Sequence, residues 1–398
     1  MNRLVLVGNG FDLAHGLKTS YRDFITDYWM KIIEQWKADE YGNLSIDGID
    51  IAVTSKGDDK SFHGKKCDIQ SYCDLKELIN KYGFWKLTFK NKLLQRISES
   101  SIENWVDIEQ AYYDELKKIV IDEKTPDVEA IKKLNEDLDQ IGELLHNYLH
   151  SIFSLSKVSY NQTITEQVCC GFIENDLEKR AVTELHQEIQ HCEGILDPIE
   201  KEEFMRTHHL DAPNSPFAVY RDRISKRPDR LLILSFNYTQ TMFIYKTYLP
   251  SNYGDLIYIH GMLGNTNNPI IFGYGDERGE EYQKIENMNN NEALNKMKSI
   301  KYLQTQNYSK VMRFIESDRY QVFIFGHSCG LSDRTLLQTI FEHDNCISIK
   351  PFYYTWKDNG IVKDNFMELT CNISRNFKDK IMMRDRVVNK EFCERLMR

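Results

Sequence analysis

The chain has 398 residues, 41% of them hydrophobic and 28% charged, the make-up of a soluble globular protein with two or three domains or one large core carrying an insertion. A formal net charge of -9 argues against sequence-independent grip on nucleic acid as the main activity, and no apolar run approaches the about 20 residues of a membrane span. Nine cysteines lie scattered without a Cys-x-x-Cys pair and the N-terminus shows no signal region, so a reducing cytoplasm is expected, with no disulfide framework and no metal.

Leu4-Val5-Leu6-Val7 reads as a buried parallel strand. It runs into Gly8-Asn9-Gly10, and Phe11-Asp12-Leu13-Ala14-His15-Gly16 then opens a helix. A strand that ends in glycines and opens into a helix can cradle phosphate, because the backbone can approach a ligand and the helix start offers N–H groups. The dinucleotide pattern is only partly met, since Leu13 stands where a third glycine would, and a tight turn without a ligand is the alternative. Ser20 predicts a capped helix to about Lys37, and residues 40–75 read as a long loop. From 75 to 226 the pattern is helical almost throughout. Ile131, Leu134, Leu138, Ile141, Leu145, Leu149 and Ile152 mark one long face, and further helices are predicted at 174–192 and 199–207.

Strand character returns at 230–234 and runs into Ser235-Phe236-Asn237-Tyr238-Thr239. A second strand, 256–259, ends in His260-Gly261, and a third, 321–325, breaks at Gly326-His327-Ser328-Cys329-Gly330 before Ser332 and Asp333 open a helix. Two helices over about 292–317 precede that third strand. Two strands, about 347–356 and 366–373, and a short helix are predicted to close the chain. Strands alternating with helices imply an α/β fold with a parallel sheet covered on both faces. The helical block is best explained as an insertion, which gives residues 1–74 and 227–398 as two parts of one sheet domain and 75–226 as the insert. Ligands of such sheets bind beyond the carboxyl ends of the strands, and every polar motif above directly follows a strand.

The predicted rim holds a glycine-rich turn, an asparagine, a histidine and a Ser/Asp pair, an inventory suited to a nucleotide. Asn237 can meet a ribose hydroxyl or position water, and His260 can act as a general base near neutral pH. Cleavage of the nicotinamide–ribose bond of NAD+ needs little more, because nicotinamide leaves as a neutral group and the oxocarbenium-like ribose is what wants stabilising.

The stretch Gly8 to Gly16, Trp105-x-Asp107-x-Glu109, Phe236-Asn237-Tyr238, His260-Gly261, Phe272-Gly273-Tyr274-Gly275 and Gly326-His327-Ser328 to Asp333 together resemble the AbiH family of bacterial abortive-infection proteins. The sheet-forming parts are also similar to the sirtuin-like NAD-hydrolase set. The resemblance implies a Rossmann-like, sirtuin-type sheet and cleavage of NAD+ as substrate, with Asn237 and His260 catalytic. It implies contacts to NAD+ or a related nucleotide from Gly8, Asn9, Gly10, Phe11, Asp12, His15, Phe236, Tyr238, Gly326, His327, Ser328 and Asp333. A homo-oligomer or a defence partner protein would gate such a site. Thr239 stands where that set has an aspartate, and Asn9 where many members have alanine.

Blander readings stand beside these. Asn237 can be a turn residue, His260 a solvated loop histidine, and Ser332-Asp333 an ordinary helix start. Gly326 to Gly330 also fits a Gly-x-Ser-x-Gly nucleophile elbow, but His343, the histidine that follows, lies at the far end of the next helix. A nucleotide-binding sensor without catalysis and a serine hydrolase using Ser328 are therefore the alternatives to an NAD+-cleaving effector.

Overall fold

The apolar run that opens the chain forms β1 (Asn2–Val7), buried at every position. In the computed structural model, residues 1–54, 66, 68–102, 107–122, 127–178, 181–183, 187, 227–249 and 254–396 are described. The strands that follow are β2 (Leu44–Ile46), β3 (Ile49–Val53), β4 (Trp85–Phe89), β5 (Leu231–Ser235), β6 (Asp255–Tyr258), β7 (Tyr320–Phe325), β8 (Cys346–Phe352), β9 (Thr355–Asp358) and β10 (Ile361–Asp364). Five parallel strands form one sheet in the order β6-β5-β1-β7-β8. This is the α/β class with a parallel sheet expected from the sequence. Val7 pairs with Ser235 and with Phe325, and Ser235 pairs with Tyr258, so four strands end level.

Alternate residues of β1 enter opposite layers, as pleating requires. Leu4 and Leu6 pack with Leu232, Leu234, Val322 and Ile324 beneath Val311, Leu336, Leu337 and Ile373, which come from the helices Asn307–Ser317, Arg334–Phe341 and Phe366–Arg375. Val5 and Val7 pack with Ile233, Phe323 and Phe325 against Phe11, Val168, Met242 and Tyr245. Each such aliphatic side chain contributes about 1.5–3 kcal/mol when fully buried. Phe11 belongs to α1 (Asn9–Ala14), the short helix that follows β1. Arg3 is the charged residue of β1; it donates to Val168 O at 3.0 Å and to Gln321 Oε1 at 3.1 Å, and lies over the Phe323 ring.

The chain forms two compact units. Residues 1–16, 154–271 and 302–398 make the first, which contains the five-stranded sheet, and residues 17–153 and 272–301 make the second. These units are cut at different places from the 1–74, 75–226 and 227–398 division read from the sequence. One reason lies in residues 40–75, where a loop was expected: β2 and β3 form a hairpin there and pair with β4, itself inside the stretch expected to be helical. The hairpin turns at Asp47 (φ 50°) and Gly48 (φ 78°), a pair suited to the tight left-handed turn that matches strand twist.

In the second unit, Ser20 caps α2 (Tyr21–Ala38) as expected, accepting the Asp23 N–H while Asp23 answers the Ser20 N–H. The helix Val128–Ile152 buries Ile131, Leu134, Leu138, Ile141, Leu145 and Leu149, the face read from spacing. Asp107 caps the helix Ile108–Lys117, and Trp105 lies outside the described residues. Glu109 is buried against Lys298, Nζ to Oε2 2.8 Å, and also accepts the Gly273 N–H.

The helix expected over 174–192 is described mainly at its start, where Glu174–Asp176 forms a 3-10 turn, and that over 199–207 lies outside the described residues. The last strand expected, 366–373, is instead the helix Phe366–Arg375. Its β-prone Thr370, Cys371 and Ile373 are overridden by the spacing of Phe366, Leu369 and Ile373, which buries one helical face. Before it, β9 and β10 form a hairpin that turns at Asn359 and Gly360, both with positive φ. Among the described residues no helix is long and apolar enough to cross a membrane.

Replacing Glu109 by alanine leaves the buried Lys298 ammonium without its carboxylate. Breaking a buried pair in this way costs about 3–5 kcal/mol. A loss of that size in urea unfolding is expected for Glu109→Ala, and a loss below about 1 kcal/mol would mean that the pair is solvated.

Candidate active site at the level strand ends

The level ends of β6, β5, β1 and β7 place four segments on one rim, all within the first unit: Ile259-His260, Phe236-Asn237, Gly8 to Asp12, and Gly326 to Asp333. Strand order reverses at β1, with β5 and β6 added on one side and β7 and β8 on the other, the position at which open α/β sheets present a crevice.

The β1 and β7 turns mesh backbone to backbone. A Cβ on Gly8 would sit 2.4 Å from His327 Cα, and one on Gly10 would sit 2.8 Å from Gly326 O. Gly326 itself has φ +71°, and a Cβ there would lie 2.3 Å from the Phe11 nitrogen. The Gly8 N–H donates to Phe325 O (3.1 Å), the Gly10 N–H to Gly326 O (2.8 Å), and the Phe11 N–H to Gly8 O (2.9 Å). These amides serve the fold and are not offered to an anion. The glycines therefore have a reason independent of phosphate, namely the approach of the β7 turn.

Asn237 is anchored on this mesh. Its Nδ2 donates to Gly8 O at 3.0 Å, and its backbone N–H donates to Ser235 Oγ. Behind it lies Asp12, 1% exposed, whose Oδ2 accepts the Thr239 hydroxyl at 2.5 Å. Burial pushes the Asp12 carboxyl up from its ordinary 3.8 to about 6, against the smaller lowering by the nearby polar side chains of Thr239, Thr241 and Asn237.

On the other side of the rim, one carboxylate faces two imidazoles. Asp333 Oδ1 lies 3.1 Å from His260 Nε2, and Asp333 Oδ2 lies 3.6 Å from His327 Nε2. Asp333 stands at the N-cap position of the helix Arg334–Phe341 but makes no capping hydrogen bond; its side chain faces the histidines. His327 Nδ1 accepts the Cys329 N–H at 3.0 Å, so its proton sits on Nε2, towards Asp333. The Phe236 ring lies edge-on to both imidazoles, with centroids at 5.1 and 4.1 Å, and the Tyr302 hydroxyl meets His260 Nε2 at 3.1 Å. Asn237, His260, His327 and Asp333 are each less than a tenth exposed.

The remaining expected residues fall into two groups. Asn9 is exposed at the start of α1, Tyr238 is half-buried with its hydroxyl on Ile271 O, and Ser328 is exposed. Phe11 is in the core. His15 closes α1, its Nδ1 donating to Phe11 O at 2.7 Å while Tyr245 donates to its Nε2 at 2.6 Å; burial holds it below the ordinary histidine range. Ser328 does not behave as an elbow nucleophile. The strained residue of the turn is Cys329 (φ 55°), buried and with its thiol pushed up by desolvation. His343 lies at the amino end of the sheet, where its ring meets Tyr320. A separate cavity of about 220 Å³, lined by Arg230, Asp255, Lys310 and Phe314 among others, also lies at the amino ends of the strands.

Sequence reasoning missed three contributors to the rim. Tyr302 is a lone tyrosine outside any motif; Asn372, which holds Ser328 O, comes from the segment expected to be a strand, and Asn376, which holds Cys329 O, follows directly after the helix found there. Among the described residues no cluster of three or more His, Cys, Asp and Glu side chains could hold a metal ion.

A family model described as bacteriophage abortive infection AbiH matches residues 4–354, a stretch that contains Asn237, His260, His327 and Asp333 but ends before Asn372 and Asn376. No curated protein matches the chain, and no solved structure does.

Two outcomes follow from the rim alone. Gly8→Ala must push the β7 turn away and should lower stability by about 1–3 kcal/mol in urea unfolding without any ligand present; unchanged stability would show that the mesh yields freely. Asp12 holds its proton to about pH 6 when folded and releases it near 3.8 when unfolded. Folding therefore loses about 3 kcal/mol as pH rises from about 4 to about 6. Asp12→Asn should remove this slope, so that the variant gains on wild type as pH rises through that window, and a wild-type profile already flat there would show an ordinary carboxyl.

Proposed function

The chain belongs to the AbiH family of bacteriophage abortive-infection proteins, and we propose that within this defence role it cleaves the nicotinamide–ribose bond of NAD+ on infection. The observation that carries the reading is the pairing of His260 with the Asp333 carboxylate beside an Asn237 anchored on Gly8 O, all at level strand ends. The two groups have different tasks.

A neutral imidazole carries one proton. With the Nε2 proton directed at Asp333 Oδ1, the basic lone pair lies on Nδ1. Asp333 then holds the ring in one tautomer and stabilises the imidazolium that forms when the base takes a proton. In the reaction, the bond from ribose C1′ to the pyridinium nitrogen breaks, and its electron pair leaves with neutral nicotinamide. Water adds to C1′, and its proton passes to His260, giving ADP-ribose, nicotinamide and one proton. Asn237 positions the ribose hydroxyl or the water. The flanking Phe236 ring and the low exposure of the polar groups keep bulk water from competing with their hydrogen bonds. With the Gly8, Gly10 and Phe11 amides already bonded within the fold, this reading rests on the base and the amide and not on a phosphate cradle. A site so enclosed also suits an effector that must stay silent until infection.

The test is phage protection in cells, with NAD+ followed after infection. Asn237→Ala should cut nicotinamide release about 10²-fold through lost positioning, and His260→Ala about 10²–10⁴-fold through loss of the base. Because both act on one step, the double variant should fall far short of the product of the two losses. A single variant that protects fully while NAD+ falls as in wild type makes that residue structural. If wild type protects while NAD+ stays constant, a nucleotide-binding sensor replaces the enzyme.

A further inference from the structure

The least explained polar group of the rim is Asp12. It is fully enclosed, and no lysine or arginine among the described residues offsets its charge. One carboxylate oxygen is spoken for by Thr239, while the other, Oδ1, has no hydrogen-bond partner among the described residues. An ionised carboxyl in such a place is costly, and a turn that needed only a hydrogen-bond acceptor for Thr239 would be served by a neutral side chain. The groups facing it are few. Thr239, Thr241 and Asn237 come from the segment after β5, and Tyr258 faces it from β6, its own hydroxyl buried without a hydrogen-bond partner among the described residues and held high by burial and by the Asp12 charge. On its own helix, the His15 ring is engaged elsewhere, by Phe11 O and Tyr245.

We propose that Asp12 is a positioning residue of this site, whose buried carboxyl fixes the direction in which the Asn237 amide faces the substrate; the proposal rests on the reading of Asn237 as a substrate-contacting group. The Asn237 amide has two N–H bonds and one oxygen. One N–H is on Gly8 O. An ionised Asp12 attracts the second and repels the amide oxygen, so the amide keeps its nitrogen inward and its oxygen outward, as an acceptor for a ribose hydroxyl or a water proton. A protonated Asp12 can donate to that oxygen instead, and the preference is lost. The carboxyl titrates near about 6, so the change falls close to neutral pH.

The experiment is NMR of the side-chain amide of Asn237 in full-length protein labelled with ¹⁵N at asparagine, the resonance assigned by its loss in Asn237→Ala. In wild type it should shift with pH about a midpoint near 6. In Asp12→Asn the shift should vanish. In Thr239→Val, which removes the bond that lowers the carboxyl, the midpoint should rise; this variant also serves if Asp12→Asn does not fold. An Asn237 amide indifferent to pH, or one that still titrates in Asp12→Asn, overturns the proposal. In the second arm, nicotinamide release from NAD+ is measured: kcat should fall about 10²-fold in Asp12→Asn with KM unchanged, and full kcat in a folded Asp12→Asn overturns the proposal. An amide that titrates as expected in a wild-type protein that releases no nicotinamide supports the positioning and overturns the NAD+ reading alone.

Discussion

The turn after β1 and the turn after β7 touch backbone to backbone, with no side chain between them. That contact needs three glycines at once, Gly8, Gly10 and Gly326, and it is sealed by the bond from the Gly10 N–H to Gly326 O. Three polar groups of the rim hang from it. Gly8 O holds Asn237, the residue after Gly326 supplies an imidazole, and the residue two after Gly10 supplies the buried carboxyl. A strand-to-helix turn usually gains its glycines by admitting a ligand; here they admit another part of the same chain.

Two carboxyls of the rim live in opposite surroundings. Asp333 faces two histidines, while Asp12 faces hydroxyls, an amide and no cation among the described residues. Both are buried in a first unit whose sheet is sealed on both faces by aliphatic and aromatic side chains, so water does little to even out the difference.

Much of this was legible in the residues. Unbroken apolar runs announced β1, β5 and β7, and the polar residues directly after them had to share a rim once those strands were parallel. The spacing of Ile131 to Leu149 announced the longest helix, and Ser20 its neighbour's start. What escaped was local or remote. Asp47-Gly48 is a two-residue hairpin turn, yet the strands beside it are short and partly polar, so composition read as loop. Phe366 to Arg375 carries β-prone residues on a helical period, and the period won because it buries a face. The role of Asp333 was hidden for a different reason: in sequence it is an ordinary helix start, and only the fold brings two histidines to it. Tyr302 had no sequence signal at all.

The central strand of the sheet lies far upstream in sequence of both strands that flank it. Arg3 pairs with Leu231 and with Gln321, so β1 must wait for more than two hundred residues before either flank exists. At about 5–20 residues per second the nearer flank arrives some 10–50 s later, and the other later still. Such long-range pairing makes folding slow and leaves an apolar strand exposed on nascent chains, a natural client for chaperones. It also means that a chain ending before residue 326 cannot carry the rim: the turn that clasps Gly10 and the carboxylate that faces His260 both come after residue 325.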